Sequence, residues 1–451
     1  MNEEWHERTA CALGDAIGRG EVDPQALTEH FLARIEEHDT DHLIYLRTTA
    51  DRARAEAEAA ARRAANGRRA SRLDGVPISW KDLYDTAGVA TEGGTPLLEG
   101  RTPERDAIVL QRATEAGTVC LGKTNTVQFA LGGIGSNAAT GTPPCAAMTD
   151  VPRVPGGSSS GAATSTARGL AAAGIGSDTG GSVRIPAAWN RLVGLKTSIG
   201  ALPTEGVLPL SPSLDTVGPL CKSVDDAAAL FSIMAGRAPI DLAGASLDGA
   251  VFLVCESVVW NQADTAVETA VKAAIARLEA AGARVEWAAV PEFDAIDDVL
   301  NRHGGVVTAE GYIAWREFID NHGDKIDPAV YERFVQGREM SAADVETVRA
   351  AIRTLTPALF ARMAGYSGML APTAPILPPP IADVVNDLDA YRVLNGLALR
   401  NTRLGNMLPC CALTLPCPDT DLPAGLMVMA PAGDDAGLLR VGAAIEAVLA
   451  A

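Results

Sequence analysis

Residues 155–186 read PGGSSSGAATSTARGLAAAGIGSDTGGSVRIP, and the rest of the chain is read outward from them. Two Gly-Gly-Ser turns stand in this stretch, Gly156-Gly157-Ser158 and Gly180-Gly181-Ser182, with small residues between them and almost no side chain large enough to fill a core. A Gly/Ser run of such density would ordinarily be a flexible linker. Here it is broken by an Ala/Thr segment of helical character over 161–169 and an apolar, strand-like piece over 170–176. Glycine at the ends of ordered elements lets backbone approach another group closely. A substrate fits that role, with the hydroxyls supplying the chemistry.

Composition sets the frame. The 451 residues are 47% hydrophobic and 21% charged, as expected for a soluble globular protein. The formal net charge of −18 repels a polyanion, and the short pairs Arg62-Arg63 and Arg68-Arg69 do not offset it. Nucleic acid is therefore not an expected partner. The acidic start, Met1 to His6, lacks the apolar run of a signal peptide, and no stretch reaches 18 apolar residues. A cytoplasmic protein with no membrane partner is expected. The eight cysteines are scattered without a Cys-x-x-Cys pair, which reads as reduced core thiols. Cys410, Cys411 and Cys417 have no His nearby, so they read as small buried hydrophobes and no metal is expected.

Helical spacing covers 7–19, 24–38 (with Asp23-Pro24 as its start) and 50–65, the last expected on the surface. Residues 75–80 form a short strand carrying Lys81 at or just past its end, where Trp80 and its apolar neighbours imply burial. A helix over 106–117 and a strand over 118–121 follow. Gly117 to Thr124 matches the phosphate-binding Walker pattern, but the residues between its glycines, Thr-Val-Cys-Leu, make the strand itself and leave no free loop. Gly157-Ser158-Ser159-Ser160-Gly161 matches a nucleophile elbow, yet two prolines precede it where a central strand is needed. Beyond Ser159 the histidines are His303 and His322, both in polar settings that read as exposed turns.

Further on come a strand over 192–196, turns over 213–219, a helix over 224–235 and alternating elements at 250–255, 265–281 and 284–289. Residues 293–363 read as mostly helical, and a helix over 436–448 closes the chain. The expected architecture is a single α/β domain over 1–451, a central mixed sheet covered by helices on both faces. Its parts are N-terminal helices (1–66), a core (70–235), a variable and mostly helical region (238–365) and a return to the core (366–451).

Three separated motifs resemble the amidase signature family of serine hydrolases. They are Asp178-Thr179-Gly180-Gly181-Ser182 with Arg184-Ile185-Pro186, the earlier turn Gly156-Gly157-Ser158, and the upstream Gly75-Val76-Pro77 to Lys81-Asp82 segment; Gly122-Lys123-Thr124-Asn125 also resembles that family. The resemblance covers 70–235 strongly and 365–451 loosely. It implies Ser182 as nucleophile, Ser158 as the bridge to Lys81, and a cis Gly157–Ser158 peptide. The two serines are 24 residues apart, as in that family. One departure is Gln128, where the family commonly carries an acid.

Amide hydrolysis needs an activated nucleophile and donors for the developing oxyanion. With no His in place, Lys81 can serve as base only if burial keeps it neutral. The backbone N–H groups of Thr179, Gly180, Gly181 and Ser182 are the expected oxyanion hole, kept open by glycine. Asp178 and Arg184 are read as an ion pair holding the loop, and Ser159 and Ser160 as supporting hydrogen bonders. The expected function is cleavage of a small amide, carbamate or urea-type C–N bond through an acyl-enzyme, with no cofactor. A homodimer is compatible with this reading. Two alternatives stand beside it: the A subunit of a tRNA-dependent amidotransferase, which would need partner subunits, and a non-catalytic binding protein, which would have no need of Lys81, Ser158 and Ser182 together.

Overall fold

A computed structural model describes residues 4–451, so the first three residues of the acidic N-terminal stretch lie outside the described residues. Eleven strands make one mixed sheet. In chain order they are β1 (Tyr45–Thr48), β2 (Pro77–Lys81), β3 (Val119–Thr124), β4 (Ala173–Ser177), β5 (Val193–Lys196), β6 (Val217–Cys221), β7 (Val251–Cys255), β8 (Arg284–Ala288), β9 (Gly368–Pro372), β10 (Cys410–Pro416) and β11 (Gly425–Pro431). Their order across the sheet is β1-β3-β2-β4-β6-β5-β10-β11-β9-β7-β8. β2 runs parallel to β3 and β4, and β7 parallel to β8 and β9, while the centre is antiparallel.

Strand residues alternate faces, and the two faces feed two cores. Cys411, Leu413 and Leu415 of β10 join the core formed with helices such as Pro24–His38, Val224–Ala235 and Asp435–Leu449. Cys410 and Ala412 join the opposite core, with Pro291–His303, Ala342–Met363 and Leu388–Met407. Adjacent Cys410 and Cys411 thus face away from each other, and all eight cysteines are free and buried. The α/β class with helices on both faces is as expected.

Particular elements differ from the sequence reading. The helix Ala50–Ala65 is not wholly superficial, because Ala53, Ala57 and Ala60 are buried and the first two pack against Val119. β3 extends through Lys123 and Thr124, so the Walker-like segment is strand throughout its second half. Five strands have no counterpart in the sequence reading: β1, β6, β9, β10 and β11. In β6, Gly218-Pro219 looks like a turn, yet Pro219 pairs with Ile175 inside the sheet. His303 and His322 end helices rather than occupying turns, and His303 is held by Asp344 at 2.8 Å. The helix Leu388–Met407 is a further addition. Its buried face mixes the polar Asn395, Arg400, Asn401, Thr402 and Asn406 with Tyr391, Leu399, Leu404 and Met407. No helix among the described residues is long and apolar enough to cross a membrane.

Candidate active site

β2 and β4 are parallel neighbours in the register Trp80↔Ile175, which brings their carboxyl ends together. Lys81 ends the first and Ser177 the second. Crevices outside the carboxyl ends of strands are where open α/β sheets bind ligands. Lys81 is fully buried beneath this end, and its Nζ donates to Ser158 Oγ at 2.7 Å and to Ser177 Oγ at 2.9 Å. Burial pushes the ammonium down from 10.5 to about 7, against the upward pull of Asp178 and Asp215. At neutral pH a substantial fraction of this amine is unprotonated.

Ser158 follows a cis peptide bond from Gly157 and is fully buried. The Ser159 N–H donates to the Ser182 carbonyl at 3.3 Å, so the two glycine turns are joined through backbone. Ser159 Oγ contacts Ser177 O and N, each at 3.3 Å, and Ser160 Oγ donates to Asn125 O at 3.3 Å. Ser182 is 5% exposed and lines a cavity of about 240 Å³ together with Gly180. Lys81 and Ser158 are thus in hydrogen-bond contact, while Ser182 stands at the cavity wall and its turn meets that of Ser158 through the backbone.

The turn from Asp178 to Ser182 is held from beneath. The Asp178 carboxylate accepts from Gly181 N (2.8 Å), from Arg184 Nε and a terminal Arg184 nitrogen (both 3.0 Å), and from Asn406 Nδ2 (2.9 Å). Burial alone would raise this carboxyl, but the Arg184 charge and hydrogen bonds outweigh it and hold it far below the usual range. Arg184 is itself fully buried and also bonds Thr402 O (3.1 Å) and Asn406, so it is an internal ion pair and does not reach the cavity. Thr179 Oγ1 donates to Asp215 (2.6 Å), whose carboxylate also takes the N–H groups of Leu210 and Ser211. Thr402 Oγ1 donates to Gly180 O at 2.8 Å. Because the Gly181 N–H is taken by Asp178, the donors without an internal acceptor are those of Thr179, Gly180 and Ser182. Of the four donors expected from the sequence, that of Gly181 is therefore already engaged.

The model of the Amidase family matches residues 26–439. The chain belongs to the amidase family. It is 33% identical over 386 residues to a 2-amino-5-chloromuconic acid deaminase of Comamonas testosteroni, covering 84% of this chain and 82% of that one. It is 34% identical over 482 residues to the A subunit of the glutamyl-tRNA(Gln) amidotransferase of Chloroflexus aggregans, covering 99% and 97%. A crystal structure of an amidase superposes with a TM-score of 0.86 at 30% identity, covering 98% of this chain and all of that one. As an amidase-family enzyme, the chain acts on C–N bonds.

Four contributors to this amidase site carry little or no signal in the sequence. Ser177 has none besides its place before Asp178, and Asp215 stands out only as an acid in a turn-rich stretch. Thr402 and Asn406 lie on the helix Leu388–Met407, 222 and 228 positions from the turn residues they bond. Gln128 is buried and its Oε1 accepts from Asp327 N at 2.9 Å, at the head of the helix Pro328–Glu339. A neutral amide at this position links the core to the variable region. Lys123, which belongs to the Walker-like pattern, is buried 3.4 Å from Asp82 and bonds Tyr84 O and Thr91 Oγ1, so it has no access to a phosphate.

Proposed function

We propose that this chain hydrolyses the C–N bond of a small amide, carbamate or urea-type substrate through an acyl-enzyme on Ser182, with Ser158 and Lys81 moving the proton. The observation that carries the reading is the 2.7 Å contact between Ser158 Oγ and a fully buried Lys81 whose pKa lies at about 7. When neutral, that amine can accept a proton along the same line. Ser182 Oγ then attacks the substrate carbonyl carbon, its proton passes to Ser158, and the Ser158 proton passes to Lys81. The negative oxygen that forms is met by the N–H groups of Thr179, Gly180 and Ser182, donors already fixed before the reaction. Collapse breaks the C–N bond, and the leaving nitrogen takes the proton back through Ser158. Water repeats the sequence on the ester and releases the acid and free Ser182. Asp178, Arg184, Ser159 and Ser160 act by holding the two turns.

The eight free buried thiols fit a reducing compartment, and we place the enzyme in the cytoplasm. The reading calls for no cofactor, nucleic acid or membrane. Its test is Ser182→Ala, expected to abolish turnover of an amide while leaving the melting temperature within a few degrees of wild type. Intact-mass measurement after mixing with an activated ester should show an acyl adduct on wild type and none on the variant. Unchanged turnover in Ser182→Ala would reject the nucleophile.

A second reading has its own support, since the match to the Chloroflexus protein spans 99% of this chain. It predicts amide hydrolysis only in the presence of partner subunits. Multiple turnovers by the purified chain alone favour the first.

A further inference from the structure

We propose that the cavity reached by Ser182 holds a subsite for a carboxylate carried by the amide substrate, built on Arg333 with Arg403, Tyr391 and Asn395. The inference rests on the reading above only in taking this cavity as the place where the amide binds.

Arg333 projects from the helix Pro328–Glu339 and lines the cavity with Gly180 and Ser182. It makes no hydrogen bond or ion pair with any described residue, and one terminal nitrogen is buried with no partner. Arg403, from the helix Leu388–Met407, lines the same cavity. It gives one nitrogen to Asp297 at 3.2 Å, while its Nε is buried and unpartnered. Burial is the first cause that lowers the pKa of both guanidinium groups, ahead of the opposing pull of Tyr391 on Arg333 and of Asp297 on Arg403. The remaining polar lining is also rich in donors. Among the described residues Tyr391 Oη has no partner, and Asn395, whose Oδ1 accepts from Gly133 N at 2.7 Å, keeps its Nδ2 free. The acid on the cavity wall, Glu332, is occupied by Arg392 through bonds of 2.8 and 3.0 Å.

An unpaired cation held away from water is costly, and in a packed protein it is normally met by a carboxylate or by carbonyl groups. Arg400, on the same helix as Arg403, is treated that way, with Val259 O, Asn261 O and Asn401 as its acceptors. Arg333, half-buried with one terminal nitrogen shielded and unpartnered, is not, in a chain with 56 acidic residues available to pair with 38 basic ones. The missing acceptor is supplied by the ligand. A guanidinium presents a planar fork that matches a carboxylate with two parallel bonds, and neighbouring hydroxyl and amide donors add to it. The cavity of about 240 Å³ is smaller than the roughly 300–1,000 Å³ common for drug-sized ligands, and short-chain amides fit within it. Gln128, by accepting the N–H of Asp327, the cap residue of the helix that carries Arg333, ties this subsite to the core.

The experiment compares the monoamides of malonic, succinic, glutaric and adipic acids with neutral amides in which a methyl group replaces the carboxylate. Wild type is expected to prefer the acidic member of at least one pair, and Arg333→Met to lower that preference roughly 100-fold, mainly through KM, as for loss of a charged hydrogen bond. Because Arg333 has no internal partner, Arg333→Met should melt no lower than wild type; Arg333→Gln serves if it does. Calorimetry on Ser182→Ala should show the preferred acidic amide binding, at least 10-fold weaker once Arg333→Met is added. The inference is overturned if wild type favours the neutral member at every length, or if Arg333→Met leaves the preference and the affinity unchanged. Persistent turnover in Ser182→Ala would instead fault the nucleophile, and leaves the binding comparison standing as a separate result.

Discussion

Lys81 has a proton affinity that depends on the fold as much as on the side chain. In the unfolded chain its amine titrates near 10.5, and in the folded protein near 7, because burial disfavours the cation. Between those values the unfolded chain binds more protons, so this residue's contribution to stability rises with pH through that window and is at its worst below about 7. Lys81→Met should therefore be inactive yet melt at least as high as wild type at pH 7. Its advantage should shrink as pH approaches 10, which paired thermal melts at the two pH values will show. A variant that is inactive because it is unfolded would give the opposite result. Lys81 is readable in the sequence through its place after Trp80, whereas Ser177 is not, since a serine ending a strand looks like many others.

In the proposed mechanism the turn from Asp178 to Ser182 sets reactivity, and its two glycines have different tasks. Gly181 has φ +136°, and a Cβ there would lie 2.1 Å from Thr402 Oγ1. Gly181→Ala should cost stability as well as activity. A Cβ on Gly180 would meet only Leu399 at 3.7 Å, so packing permits a methyl group there and the space belongs to the cavity. Gly180→Ala is expected to fold with a near-normal melting temperature and to lose turnover, because the methyl group takes the place of the substrate carbonyl. Beneath the turn, Arg184→Met leaves the Asp178 carboxylate buried and unpaired. Denaturant unfolding should record a loss of about 3–5 kcal/mol, as for other buried pairs broken on one side. The glycines and serines of this turn are legible because their chemistry is local. Their support from the helix Leu388–Met407 is not, since Thr402 lies 222 positions from Gly180 and Asn406 lies 228 from Asp178.

Across the whole molecule, one sheet interleaves distant parts of the chain: β9, β10 and β11 from the C-terminal return lie between β5 of the core and β7 of the variable region. Strand and helix types in the 224–289 stretch can be read from periodicity, but this order cannot, because it depends on pairings between segments far apart. The first and last α-helices are both tied to the helix Val224–Ala235. Cys11 N donates to Asp226 at 2.7 Å, and Glu446 of the closing helix accepts from Val224 N at 3.0 Å. Burial, with Asp226 and Asp225 adding to it, raises Glu446 from 4.5 to about 7. The folded state thus holds its proton more tightly, and this residue's contribution falls as pH rises from 4.5 through 7. Glu446→Gln, which keeps an acceptor for Val224, should melt higher than wild type at pH 8 and equal to it near pH 5. This assembly buries Lys81 against Ser158 and Ser177, and its proposed role as base is tested most directly by the pH dependence of amide hydrolysis by wild type and Lys81→Arg. The account predicts a wild-type kcat/KM that rises through about pH 7 to a plateau, with Lys81→Arg slower by about 10³-fold or more at every pH, since a guanidinium cannot accept the proton. Near-normal turnover in Lys81→Arg, or a wild-type profile flat through this range, would show that the side chain is only a positive charge and that the base lies elsewhere.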